Sequence, residues 1–198
     1  MKRATIELAV FVLLVAAGAA SRVLFRELPN FAPIAAMALF AGYFFRHSFV
    51  AMLAPLSAML ISDGFLGFYE WPLMAVVYAM LTLPVALRPL ARHFLAIERG
   101  QVSRTAASLA GLITCSLGSS LLFFAATNFA VWYGGPWYPQ NWQGLLECYA
   151  AAIPFLKYTL LGDLFYACLL FGGNAAAVNL SWLSSAEGEL APVNIRAS

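Results

Sequence analysis

The sequence predicts an all-α membrane protein, a compact bundle of six transmembrane helices forming one domain over residues 1–198, with both termini in the cytoplasm. Three observations carry this. First, 63% of the 198 residues are hydrophobic and only 10% are charged, where soluble domains carry roughly a quarter charged residues. A water-soluble fold of this size would lack the polar surface to cover its core, so lipid must cover much of the outside. Second, the apolar residues fall into six runs separated by short polar, Pro-rich or Gly-rich breaks. Third, the basic residues collect in alternate breaks. The formal net charge of +2 is too small to point to nucleic acid.

The runs cover residues 6–25, 31–45, 49–68, 71–87, 105–133 and 148–172. The first begins after Lys2 and Arg3 and contains Ala16-Ala17-Gly18-Ala19-Ala20, so it has the look of a secretory signal. Glu7 interrupts that pattern and Val23-Leu24-Phe25 carries the apolar run past the would-be cleavage site, which predicts a retained first helix. The second and fourth runs are short for a hydrocarbon core of about 30 Å, and the fifth is long enough to tilt or bend, with Gly118-Ser119-Ser120 as the place for it. All six must be helical, because an unpaired backbone group in lipid costs several kcal/mol and the alternation of barrel strands is absent.

Orientation follows from the loops. Lys2, Arg3, Arg46, Arg88, Arg92, Arg99 and Arg104 fall on one side. The other side holds Arg26 with Glu27, then Glu70, then an uncharged segment over 134–144. The excess of basic residues assigns the first side to the cytoplasm. No repeat, linker or soluble domain interrupts the pattern.

Enzyme chemistry finds little support, and the expectation is a protein that is not an enzyme and carries neither cofactor nor metal. His47 and His93 sit among arginines at predicted cytoplasmic helix ends, remote from any buried nucleophile. Neither an H-E-x-x-H zinc pattern nor a G-x-x-x-x-G-K-[ST] phosphate loop occurs. Cys115, Cys148 and Cys168 are too scattered for a disulfide framework or zinc site and read as small apolar packers.

Two sets of residues stand out as candidates for binding. Val131-Trp132-Tyr133-Gly134-Gly135-Pro136-Trp137-Tyr138-Pro139-Gln140-Asn141-Trp142 is aromatic, turn-rich and interleaved with amides. Aromatic residues at a membrane surface usually form an interfacial belt. Clustered with amides in one structured loop, they also suit a small-molecule pocket. Phe124, Asn128 and Trp132 recur at four-residue spacing on one helix face leading into this loop.

The second set is Arg22, Asp63, Lys157 and Asp163, ionisable residues within or beside the spans. Such residues cost roughly 2.5–3.5 kcal/mol on insertion scales and so face the interior, pair, or contact ligand. Arg22 and Asp63 fall at similar depth, and an ion pair between them is the plain expectation. Lys157 and Asp163 are six residues apart and point about 240° from one another on a helix. This predicts Lys157 toward ligand and Asp163 in a structural role. Ala16 and Ala20 form a small-x-x-x-small face suited to close helix contact, within the bundle or with a separate subunit.

Together these features resemble the substrate-binding S components of energy-coupling-factor vitamin transporters. The resemblance rests on chain length, six spans, and a series of short motifs. These are Pro29-Asn30-Phe31-Ala32-Pro33 before the second span, Ala41-Gly42-Tyr43-Phe44-Phe45 at its end, Ser62-Asp63-Gly64 with Gly67 closing the third, and Trp71-Pro72 opening the fourth. Over nearly its full length the chain also resembles a bacterial family of uncharacterised, S-component-like integral membrane proteins. Phe123-Phe124, Thr127-Asn128-Phe129, Trp132 and Ile153-Pro154-Phe155 carry that likeness.

The resemblance implies a multi-pass protein of the bacterial inner (cytoplasmic) membrane that binds a vitamin-like small molecule from outside. Asn30, Asp63, Tyr69, Trp71, Asn128, Trp132, Trp137, Tyr138, Asn141, Trp142 and Lys157 would form the substrate site. Ala16 and Ala20 would dock on a transmembrane coupling subunit carrying ATPases, unless uptake is solitary and facilitated. The bulky aromatic lid favours a cobalamin-type ligand, with an approach of Cys148 to the cobalt as the lesser alternative to simple packing. The competing expectation is a non-transporting scaffold or assembly protein that uses its small-residue faces for contact.

Overall fold

A computed structural model describes residues 3–28, 31–86, 88–89 and 102–189, with backbone alone over 102–109 and 179–189. Among the described residues six helices are defined: α1 (Arg3–Leu24), α2 (Ile34–Phe44), α3 (Ser48–Leu66), α4 (Trp71–Ala86), α5 (Val102–Gly134) and α6 (Trp142–Glu189). No strand occurs among the described residues. Arg3–Leu24, Ser48–Leu66, Ala110–Gly134 and Trp142–Val178 are long and apolar enough to cross a membrane, whereas α2 and α4 are shorter apolar helices. This is the build of an integral membrane protein.

Each apolar run folds as one helix, within a few residues of its expected bounds for the first five. Two differences appear. The last helix starts six residues earlier than the 148–172 run and continues to Glu189. The fifth runs as unbroken helix through Gly118, Ser119 and Ser120. The motif residues Pro29 and Asn30, and Arg92, His93 and Arg99 of the basic loop, lie outside the described residues.

The bundle is organised around α2. Eight of its eleven residues are buried, and it touches α1, α3, α4, α5 and α6. At 1.5 Å per residue α2 is only about 16 Å long, too short to cross a bilayer alone. Non-helical backbone at membrane depth is tolerated where protein covers it, and the neighbouring helices provide that cover. The ends of α2 are set by Pro33, the N-cap residue, and by Phe45, which turns extended. Its first helical bond runs from the Met37 amide to the Pro33 carbonyl at 2.7 Å.

Small residues bring the helices together, as packing in lipid requires. A Cβ on Gly18 of α1 would lie 3.1 Å from the Ala58 Cβ of α3 and from the Met37 thioether of α2. A Cβ on Gly162 of α6 would sit 3.3 Å from the Phe31 Cα. Ala16 and Ala20, by contrast, are exposed on α1. Arg88, beyond α4, donates to the Ser48 hydroxyl at 2.6 Å and to the Arg46 carbonyl, tying together two of the expected cytoplasmic turns.

The other end carries the α1–α2, α3–α4 and α5–α6 connections. Here the Phe31 ring lies 6.0 Å from Phe25 and 5.7 Å from Tyr166, centroid to centroid. The end of α1 is therefore level with residues 165–166 of α6. From that level back to Trp142 is about 35 Å of helix, so the α5–α6 hairpin rises well beyond α1 and α2. The rising part is held by α5–α6 contacts, including the Tyr149 hydroxyl donating to the Ala125 carbonyl at 2.6 Å and the Phe124–Tyr149 ring pair.

Candidate functional site

Under that hairpin, α1, α3 and α4 assemble a polar cluster. Asp63 is 1% exposed, and both its oxygens are used. Arg22 Nη1 donates to Oδ1 at 2.6 Å and the Tyr78 hydroxyl donates to Oδ2 at 2.8 Å. The same Nη1 reaches Ser62 Oγ at 2.5 Å and the Met59 carbonyl at 3.4 Å. Ser62 accepts this bond because its own proton is directed at the Ala58 and Met59 carbonyls. The expected Arg22–Asp63 pair is thus present, with each charge compensated where lipid would otherwise make it costly.

Gly67 closes α3 at a φ of +99°, its amide bonded to the Asp63 carbonyl. A side chain is strained in that conformation, and the turn brings Tyr69 back toward the pair. Burial, followed by the nearby Asp63 carboxylate and opposed by Arg22, pushes the Tyr69 phenol up to about 12. Tyr69 therefore stays a neutral hydrogen-bond donor at any physiological pH.

On the opposite side α6 contributes Asp163, which is 3% exposed. Ser120 Oγ of α5 donates to Oδ2 at 2.5 Å, and the Ala36 backbone amide is its other hydrogen-bond partner. Ala36 lies in the first turn of α2, whose N-cap residue Pro33 makes no side-chain cap bond. Asp163 therefore serves as a cap supplied from another helix. Among the described residues no cation pairs with it.

Between the two clusters lies a cavity of about 410 Å³ to which all six helices contribute. Its polar lining is Arg22, Arg26, Tyr69, Thr159 and Asp163. The walls between are apolar, including Phe25, Phe31, Ile34, Leu66, Leu81 and Phe123. An apolar chamber of this size with a few convergent polar groups has the character of a small-molecule site.

Of the residues singled out by sequence, Tyr69 lines this cavity and Asp63 stands behind it through Arg22. Asn30 lies outside the described residues. Trp71, Asn128, Trp132, Trp137, Tyr138, Asn141, Trp142 and Lys157 are not part of its lining. The loop's polar groups instead hold the loop together. Asn128 Nδ2 donates to the Phe124 carbonyl of its own helix, Trp132 Nε1 to the Pro139 carbonyl at 2.9 Å, and Gln140 to the Trp132 carbonyl. Asn141 Oδ1 accepts from the Gly144 amide at 2.9 Å and so caps α6.

Trp71, Trp137 and Trp142 are over 70% exposed, the disposition of an interfacial belt. Lys157, expected toward ligand, is exposed with its ammonium 4.9 Å from the Tyr158 ring, and Asp163 faces the cavity in its place. The Cys148 thiol is buried against the Asn128 carbonyl at 3.4 Å, away from the cavity lining. Cys115 is likewise buried, while Cys168 is exposed.

Arg26 and Thr159 were not anticipated. Their signal lay in spacing: Arg22 with Arg26, and Thr159 with Asp163, are i,i+4 pairs, which share a face wherever the backbone stays helical. Gly144, Cys148, Ala152, Thr159, Asp163 and Ala167 are all buried and form one small or polar stripe along α6. Lys157 falls off that stripe, which is why it points outward.

With four helices long and apolar enough to cross a membrane and a partly open cavity between the helices, the class is an integral membrane protein with a candidate binding site. The chain matches, over residues 2–185, the DUF6580 family, described as a family of unknown function, and it belongs to that family. No curated protein and no solved structure matches it.

Proposed function

We propose that the protein is a membrane-embedded solute-binding or uptake subunit for a vitamin-like small molecule, working as S components do. On this reading all six helices belong to the membrane bundle, both termini are cytoplasmic, and the cavity faces outward in a bacterial inner membrane. The protein is not an enzyme; its energy comes from a transmembrane coupling subunit with ATPases, or uptake is solitary and facilitated. The observation that carries the reading is the 410 Å³ cavity lined by all six helices. A scaffold whose role is helix contact gains nothing from leaving such a space unfilled, since packing is what holds helices together in lipid.

The volume also narrows the ligand. It lies near the lower end of the range for ligand pockets. With Cys148 turned toward the Asn128 carbonyl, the ligand favoured here is smaller than cobalamin.

The test is native mass spectrometry, with an absorption spectrum, of protein purified gently from its host. A stoichiometric small molecule is expected, and it should be lost in Ala35→Trp, which fills the cavity from α2. A bound molecule retained in that variant would place the site elsewhere. A clean apo mass that no metabolite extract shifts would favour the scaffold.

A further inference from the structure

We infer that the cavity selects a compact monocarboxylate with an apolar body and a hydrogen-bond-donating group at its other end, the carboxylate meeting Arg22 and Arg26 and the donor meeting Asp163 and Thr159. This deepens the solute-binding reading and rests on it.

The argument begins with how Arg22 is used. Its three bonds to protein all leave from Nη1. Among the described residues, Nε and Nη2 have no partner, yet Arg22 lines the cavity. A guanidinium anchored through one nitrogen presents its remaining N–H groups in a rigid fork that fits a planar two-oxygen acceptor. The anchor also fixes the fork before the ligand arrives, which lowers the ordering cost of binding. Arg26, just past the end of α1, adds a second cation at the exposed rim of the lining, where its Nε lies 3.4 Å from Glu27 Oε1, and Tyr69 adds a neutral phenol donor.

The other end has the opposite need. Asp163 satisfies the Ala36 amide and the Ser120 hydroxyl but meets no cation among the described residues, and Thr159 lies one turn away on the same face of α6. The Thr159 hydroxyl proton goes to the Phe155 carbonyl at 3.1 Å, which leaves its oxygen as an acceptor. Two acceptors facing an apolar chamber call for a donor such as an amine or hydroxyl.

Polyanions are disfavoured by the same geometry, because a second negative group would meet the Asp163 carboxyl, which no cation among the described residues balances. Phosphate, strongly hydrated and carrying more than one charge, fits these apolar walls poorly. A volume of about 410 Å³ lies toward the lower end of the range for small-molecule pockets, which sets the scale of the ligand.

The experiment uses full-length protein in lipid nanodiscs. ω-Aminooctanoate and octanoate, each with its methyl ester, are tested with octylamine for protection against thermal unfolding and for affinity. Expected is protection by both acids, with ω-aminooctanoate the tighter, and a loss of about tenfold or more on esterification. In Arg22→Gln/Asp63→Asn, which retains neutral hydrogen-bonding groups at both positions, acid and ester should bind alike. In Asp163→Asn the advantage of the amino group should disappear.

If acids and esters protect equally, and Ala35→Trp abolishes both, the cavity binds solute but charge recognition is overturned. If no acid protects, the inference also falls. The search for a co-purifying molecule then decides the solute-binding reading by itself.

Discussion

The 132–142 loop and the chamber between Arg22 and Asp163 lie at the same end of the molecule, and both gather aromatic and polar side chains. In the loop the polar groups are spent on one another: indole to carbonyl, amide to carbonyl, and Asn141 as a helix cap. Its tryptophans at 137 and 142 face outward. In the chamber the polar groups are anchored from behind and present unused hydrogen-bonding capacity to an empty space. Residue types alone do not separate a belt from a site. What separates them is whether hydrogen-bonding capacity is left over once the local backbone has been satisfied.

The sharpest way to break this contrast is Asp63→Leu. It leaves the Arg22 guanidinium without its anion in a partly buried position, and breaking such a pair costs about 3 kcal/mol. Thermal unfolding in detergent should register a drop far larger than any single loop tryptophan produces. The double variant Arg22→Leu/Asp63→Leu should recover much of that loss, because no orphaned charge remains. Equal destabilisation by Asp63→Leu and Trp137→Ala would show that the anchored cluster has no special energetic role.

The helices were legible in the sequence because apolar run length and Pro or Gly punctuation act locally: Pro33 at the start of α2, Gly67 at the end of α3, Trp71-Pro72 at the start of α4. The Arg22–Asp63 pair was legible because a charge within a span needs a partner at its own depth. The rest depended on how far α6 extends. A helix crossing a bilayer needs only about 20 residues, so nothing local indicates that 142–165 rises past α1. That rise carries the aromatic loop away from the chamber, while Lys157 lies off the chamber-facing stripe of α6. It also brings Asp163, rather than Lys157, level with the first turn of α2. Asp163 was rightly expected to have a structural role, but its place in the chamber wall follows from α2 beginning beside it. Only the three-dimensional arrangement supplies that proximity.

Gly144→Ala tests the loop's side of the comparison. An added Cβ would lie 2.1 Å from the Pro139 carbonyl oxygen, with the carbonyl carbon and ring nitrogen at 2.9 Å. These are backbone atoms, which cannot swing aside as a flexible side chain can. The Asn141 cap and the bond from Trp132 to Pro139 would be disturbed together, at a cost of about 2 kcal/mol. Ligand affinity should nevertheless stay at the wild-type value. A variant that remains folded but loses affinity would return the loop to the binding site.

Lys157→Met gives the smallest expected effect and the most direct comparison within one helix. Lys157 and Asp163 lie on the same helix, yet one is exposed and the other 3% exposed. The lysine's recorded partner is the ring of its own neighbour, Tyr158, and exposed cation–ring contacts contribute on the order of 0.5–1 kcal/mol at most. Met keeps the length and apolar stem while removing the charge, so stability should change by no more than about 0.5 kcal/mol and ligand affinity not at all. Asp163→Met at the same helix should be far more damaging, since it uncaps α2 and leaves the Ser120 hydroxyl and Ala36 amide without their acceptor. Were Lys157→Met instead to abolish binding while Asp163→Asn spared it, α6 would have to be rotated by about a third of a turn in the ligand-bound protein.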